Sequence, residues 1–149
     1  MQLEEEIRTI IEKECEDYFL GTADLSSSTN PMVEQYGPLI VEYPRAISFG
    51  ITLPHINTYN SFNEYSKIYK HTNCKLRSIS TRLTNLLENR GYKAFPVPKS
   101  KIVDVTFTSL HKLAANQADL GRIDVNGLLV TPEVGPGVNW GTVLTDACF

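Results

Sequence analysis

Leu3, Ile7, Ile10, Ile11, Cys15, Tyr18 and Phe19 recur at steps of three and four, with acidic residues between them. That spacing puts apolar side chains on one stripe of a helix. It predicts an amphipathic helix over 3–19, stopped by Gly21. Residues 22–30 are polar and read as a loop, after which Asn30, Pro31 and Gly37 mark the cap, first turn and stop of a short helix. Residues 46–53 are apolar and partly β-branched, fenced by Pro44 and Pro54, and predict a buried strand.

The longest predicted element runs from about residue 61 to 90. Tyr65, Tyr69, Thr72, Leu76, Ile79, Leu83 and Leu86 alternate steps of four and three before Gly91 ends the pattern. Such a stripe suits a coiled-coil seam, but strands on both sides favour a helix packed across a sheet. Residues 93–97 read as a short strand closed by Pro98, and 103–107 as another. A helix over 109–119 follows, capped by Ser109 or Thr108 and stopped at Gly121. Residues 128–131 and 142–145 look like an antiparallel pair joined by a 132–141 loop. Strict βαβ alternation is absent, so the expected class is α+β, a mixed or antiparallel sheet with packed helices in a single domain over 1–149.

A chain of 149 residues that is 42% hydrophobic and 21% charged can build one globular core, which excludes disorder and collagen-like order. Its apolar runs fall short of a membrane span, and Glu4, Glu5 and Glu6 stand where a targeting segment carries positive charge. The expectation is a soluble, cytoplasmic protein with no membrane partner. Cys15, Cys74 and Cys148 are too scattered for a disulfide framework or a local metal site, so no metal ligands are assigned. The net charge of −3 hides an asymmetry: residues 1–17 hold seven acids and two bases, whereas 67–101 hold nine bases and only Glu88 as an acid. One positive face follows. It is either a solvated helix face or a surface for phosphate, nucleic acid or an acidic partner.

Walker, GxGxxG, GxSxG, HExxH and EF-hand motifs are absent. The tail from His111 to Ala147 is more specific: HKLAANQADLGRIDVNGLLVTPEVGPGVNWGTVLTDA. It resembles the corrinoid-binding half of the epoxyqueuosine reductase-like iron-sulfur proteins, relatives of the cobalamin-dependent reductive dehalogenases. YPRAISFGITLP from Tyr43 to Pro54, the long helix and RGYKAFPVP from Arg90 to Pro98 extend the resemblance over most of the chain. The resemblance implies an α+β domain akin to the nitroreductase and cobalamin-chaperone folds. In that family it holds cobalamin against a following ferredoxin-like module with two 4Fe-4S clusters.

Departures from the family pattern qualify what is carried over. The family's cluster cysteines lie beyond the Thr-Asp-Ala tripeptide at Thr145, Asp146 and Ala147, and the sequence ends at Phe149. The resemblance therefore implies no 4Fe-4S cluster in this chain. A ferredoxin-like module would be a partner, in a longer chain or as a separate protein. Arg122, Ile123, Asp124 and Val125 replace the family's aromatic and Ile-Gly-Lys, and Gly137 and Asn139 stand where its loop carries arginines. tRNA is a further implied partner, and an apolar face left by the missing module would favour a homodimer.

The implied ligand site lies between residues 109–116 and the 131–140 loop. On the helix side the candidate cobalamin contacts are Ser109, His111, Lys112 and Asn116. On the loop side they are Thr131, Pro132, Gly135, Gly137, Trp140 and Thr142. His111 and Lys112 could donate to a corrin side chain or a tRNA phosphate, or simply cap and solvate the helix. Glycines allow close backbone approach, although a Gly/Pro loop also needs no ligand to exist. Trp140 could stack on a corrin or pack in the core. Asp104 lies near the family's proton-donating aspartate and is the candidate general acid, although the register from Leu120 falls nearer Val105. The leading reading is a corrinoid-binding-type domain of an epoxyqueuosine reductase-like redox protein, inactive alone. The alternatives are a degenerate binding or scaffold module and an RNA-contacting module using the basic 67–101 face.

Overall fold

The computed structural model describes residues 2–54, 62–99 and 107–149. A four-stranded antiparallel sheet, in the order β1-β2-β6-β3, organises them. Its strands are β1 (Tyr18–Asp24), β2 (Arg45–Thr52), β3 (Ala94–Pro96) and β6 (Val138–Thr145). One face carries α1 (Leu3–Glu14) and the long α4 (Phe62–Asn89). The other carries α5 (Thr108–Gln117) with the short α2 (Met32–Gln35) and α3 (Gly37–Glu42). A two-stranded ribbon of β4 (Arg122–Ile123) and β5 (Leu129–Val130) follows α5. The α+β class stands, and α4 crosses the sheet as its stripe predicts.

Period-two alternation divides the core between the faces. Ile47, Phe49, Ile51 and Val143 pack with Ile7, Ile11, Leu76, Ile79, Leu83 and Leu87 on the α4 side. Ala46 and Leu144 pack with Leu25, Ile40, Leu110, Leu113 and Ala114 on the α5 side. Two glycines set the spacing between β2 and β6. Gly50 pairs with Trp140 and Gly141 with Phe49. A Cβ on Gly50 would fall 2.8 Å from the Trp140 ring, and one on Gly141 would fall 2.4 Å from the Phe49 ring.

Several local expectations are overturned. α1 stops at Glu14, and Tyr18, Phe19 and Gly21 lie in β1, which also occupies part of the expected 22–30 loop. Aromatic residues that fit a helical stripe are equally good strand formers, and pairing with β2 decides between the two. Asn30 does cap: its Oδ1 accepts from the Met32 N–H at 2.9 Å. Gly37, however, opens α3 instead of ending the chain's helical run, with Pro38 in the first turn.

At α5 the cap position is Phe107, not Thr108 or Ser109. The helix ends at Gln117 with Ala118 as its C-cap, and Asp119 beyond it has a φ of 62°, in the left-handed region. The Leu120 N–H bonds the Ala115 carbonyl at 3.0 Å and the Asp119 N–H bonds the Asn116 carbonyl at 3.1 Å, which closes a Schellman turn before Gly121 is reached. Gly121 instead admits β5, since a Cβ there would lie 2.7 Å from the Val130 carbonyl oxygen.

The expected pairing of 128–131 with 142–145 is wrong: β5 pairs with β4, and β6 begins at Val138 and pairs with β2 and β3. The reason is a local turn. Asp124 Oδ1 accepts from the N–H groups of Asn126 and Leu128 at 2.9 Å each, and Gly127 sits at φ 78°. Asn126-Gly127 thereby closes a hairpin that outcompetes the longer connection. The strand expected over 103–107 and the candidate acid Asp104 fall outside the described residues except for Phe107.

Adding one methyl at the β2–β6 contact should be costly. Gly141→Ala is expected to lower unfolding stability by about 1–3 kcal/mol, because the new Cβ would fall on the fully buried Phe49 ring. Urea denaturation checks this: the midpoint falls with the slope unchanged.

Candidate functional site

β3 is short because proline cannot donate to a ladder, and Pro96 and Pro98 flank Val97. Val97 makes the last backbone bond to the β6 edge, from its N–H to the Thr142 carbonyl at 3.0 Å. Beyond that point side chains take over. Lys99 Nζ donates to the Trp140 carbonyl at 2.5 Å. His111, on α5, lies against the Pro98 carbonyl through Nε2 at 2.9 Å and against Thr142 Oγ1 through Nδ1 at 2.8 Å. A carbonyl can only accept, so the network assigns the proton to Nε2, and Nδ1 accepts from the Thr142 hydroxyl.

This cluster is interior. His111 is 4% exposed and Thr142 fully buried. Ser48, opposite Thr142 in the sheet register, is also buried, and its hydroxyl has no partner among the described residues. Burial is the main cause that pushes the His111 imidazole down to about 4. The neighbouring Lys99 charge adds to this and the bond to Pro98 opposes it. Burial likewise lowers the Lys99 ammonium to about 8.

The remaining predicted contacts are engaged in the fold. Lys112 Nζ donates to the Gly127 carbonyl at 2.6 Å and Asn116 Nδ2 to the Gly121 carbonyl at 3.0 Å, which ties α5 to the hairpin. Ser109 shares a hydrogen bond with Tyr36. Thr131 is buried, donates to the Gly135 carbonyl at 3.0 Å and accepts from the Val134 N–H at 3.1 Å, so it closes its own turn. Trp140 packs with Phe19 at 5.7 Å between ring centroids, as a core residue does. Gly135, at φ 68°, serves that turn.

Surface openings lie at the loop instead. Pro132 borders a recess of about 390 Å³ with Asp119 and Arg122. Gly137 borders a wider one, about 600 Å³ and chiefly apolar, with Leu53, Pro54, Tyr65, Val134 and Pro136. The α5 side chains spend their polar groups inside the fold, whereas the loop opening exposes Gly137 over an apolar floor. Sequence reasoning missed Lys99. The available signal was a lysine directly after a Pro-x-Pro edge. No group of three or more metal-ligating side chains is gathered among the described residues.

No protein-family model matches the chain, and no curated protein matches its sequence. Solved structures do match. An epoxyqueuosine reductase bound to a tRNA-Tyr stem loop superposes with a TM-score of 0.59 at 15% identity, over 97% of this chain and 45% of that one. The enzyme from Streptococcus thermophilus gives 0.58 at 17% identity, over 100% of this chain and 47% of that one. The chain has an epoxyqueuosine reductase-like fold. The Bacillus subtilis enzyme, with its catalytic loop swung out of the active site, agrees at 0.57 and 15% identity, over 99% and 47%. The chain thus spans about half the length of the reductases it matches, and identities this low concern architecture alone. No helix among the described residues is long and apolar enough to cross a membrane.

The His111 environment predicts a pH dependence. An unfolded histidine near 6.5 binds its proton before the folded one at about 4, so folded stability falls as pH drops through that window. The loss should approach roughly 3 kcal/mol at the acid end. Denaturation midpoints between pH 7 and 4 check it: His111→Gln should flatten the slope, and an equally steep slope in that variant would contradict the assignment.

Proposed function

We propose that this is a corrinoid-binding-type domain of an epoxyqueuosine reductase-like redox protein, acting with a separate or covalently continued electron-delivery module. The observation that carries the reading is the fold likeness, which extends over 97% or more of this chain and half of each reductase. Cobalamin, when bound, supplies one-electron chemistry at cobalt. In this reading Gly137 offers its backbone amide to the corrin rim, while Leu53 and Tyr65 form the apolar floor of the 600 Å³ opening. The α5 residues hold the sheet and the hairpin together beneath it. The exposed Val125 and Leu128 on the hairpin and Val134 on the loop offer an apolar surface to the electron-delivering partner, or to a second copy of the chain.

A titration with cob(II)alamin followed by calorimetry and visible spectra tests the reading. Without arginine at Gly137 and Asn139 or lysine at Val125, each absent charge-assisted bond forgoes about 1.5–3 kcal/mol. The expected Kd is on the order of 0.1 mM or weaker. A folded protein that takes up none at millimolar concentration would leave the degenerate-module reading.

The second reading, RNA contact, rests on charge placement along α4. Arg82 pairs with Glu14 at 3.7 Å and Arg90 pairs with Glu6, so the acidic helix α1 neutralises the far end of α4. Lys67, Lys70 and Arg77 are exposed and enter no ion pair among the described residues. A neighbouring reductase is bound to a tRNA stem loop, and in this reading these three residues of α4 offer such an RNA a cationic surface. Replacing all three with glutamine should reduce the slope of log affinity for a tRNA stem loop against log salt by about 2. An unchanged slope would remove α4 from the interface.

A further inference from the structure

The gap left where β3 runs out opens on the α4 side as a recess of about 270 Å³. Its walls include Asn73, Arg77, Ser80 and Thr81 of α4, with Lys99 and the bare backbone of Gly141 opposite. Two cationic groups and two hydroxyls line it. No carboxylate does so among the described residues. Asn73 accepts through Oδ1 from Asn139 Nδ2 at 2.8 Å, which leaves its own NH₂ to donate.

Lys99 is the anomalous group. Its side chain is half-buried and makes a single hydrogen bond, to the Trp140 carbonyl, and it enters no ion pair among the described residues. A cation drawn partly out of water without a counter-charge is a costly arrangement. Exposed lysines on α4 have water for company; Lys99 has a cavity of donors. Gly141 borders the recess with its backbone, the Phe49 ring covering the side where a Cβ would stand.

We propose that this recess is a binding site for the phosphate or carboxylate group of a small molecule, held between Lys99 and Arg77 with Asn73, Ser80 and Thr81 donating to its oxygens. The site is independent of the corrinoid reading, because it lies at the β3 end of the sheet and shares no lining residue with the loop opening. A volume of this size admits one anionic group with a modest substituent. The source is therefore a small ligand and not the backbone of a nucleic acid duplex.

Inorganic phosphate is the first probe, with acetate and chloride compared at matched ionic strength. Phosphate at about tenfold excess over its Kd should raise the melting temperature by about 3 °C over chloride. NMR of the Lys99 ε-methylene should show its titration moving up from about 8, because the anion restores the missing counter-charge. A response to acetate alone would identify a carboxylate ligand. Lys99→Met and Arg77→Gln should each abolish the phosphate response, while Lys70→Met, which alters the same helix outside the recess, should keep it.

Absence of a melting shift and of a Lys99 shift with both anions up to 100 mM would overturn the proposal. So would a Lys99 that titrates near 10.5 without added anion, since an internal counter-ion would then be present. A tRNA stem loop provides the last arm. Lys99→Met should leave its affinity unchanged, and a loss as large as that of Lys70→Gln would reassign the recess to RNA backbone contact.

Discussion

The interlock of β2 and β6 is the constraint on which everything else in the fold depends. Every residue of β6 is buried, with β2 hydrogen-bonded along one edge, β3 along part of the other, and helices over both faces. At its middle two rings lie over two glycines, Phe49 over Gly141 on the α4 side and Trp140 over Gly50 on the α5 side. A register slip of one residue would set ring against ring and send each apolar set to the wrong face. The close approach of the two strands and the choice of register are one fact seen twice.

The polar chemistry of the domain follows from how that strand is completed. Where β3 loses its donors to Pro96 and Pro98, the groups around the β6 edge find partners in a lysine and a histidine. Thr142 is held from two directions, by Val97 at its carbonyl and by His111 at its hydroxyl. On the opposite face Asn139 bonds Thr72 and Asn73 at 2.8 Å each and fastens α4 to the sheet. A gap in a ladder thus becomes both an internal polar cluster and a surface recess.

Charge is laid out on the same frame. The acidic α1 lies along the C-terminal part of α4, so the two helices share ion pairs there, while Lys67, Lys70 and Arg77 enter no ion pair among the described residues. The likeness to half of epoxyqueuosine reductase gives this layout its proposed context. One end of the domain presents an apolar loop opening and the flank of α4 presents positive charge. The two meet on α4, whose Tyr65 borders the opening while its exposed Lys67 and Lys70 carry the charge.

What the sequence by itself determined were the elements whose signal is periodic and local: the α4 stripe ended by Gly91, the apolar β2 fenced by prolines, the Asn30 cap and the α+β class. The resemblance in the 111–147 tail also pointed to the right architecture. Tertiary structure alone decided whether Tyr18 and Phe19 belong to a helix or a strand, because both patterns suit them and only pairing with β2 separates the two. It alone decided that β5 pairs with β4, although Asn126-Gly127 was a legible hairpin signal. It also assigned His111, Thr142 and Trp140 to the interior and brought Lys99 beside them. Spacing along a chain ranks local conformations, but which donor meets which acceptor depends on strands and helices far apart in sequence, and that is settled only when the sheet closes around β6.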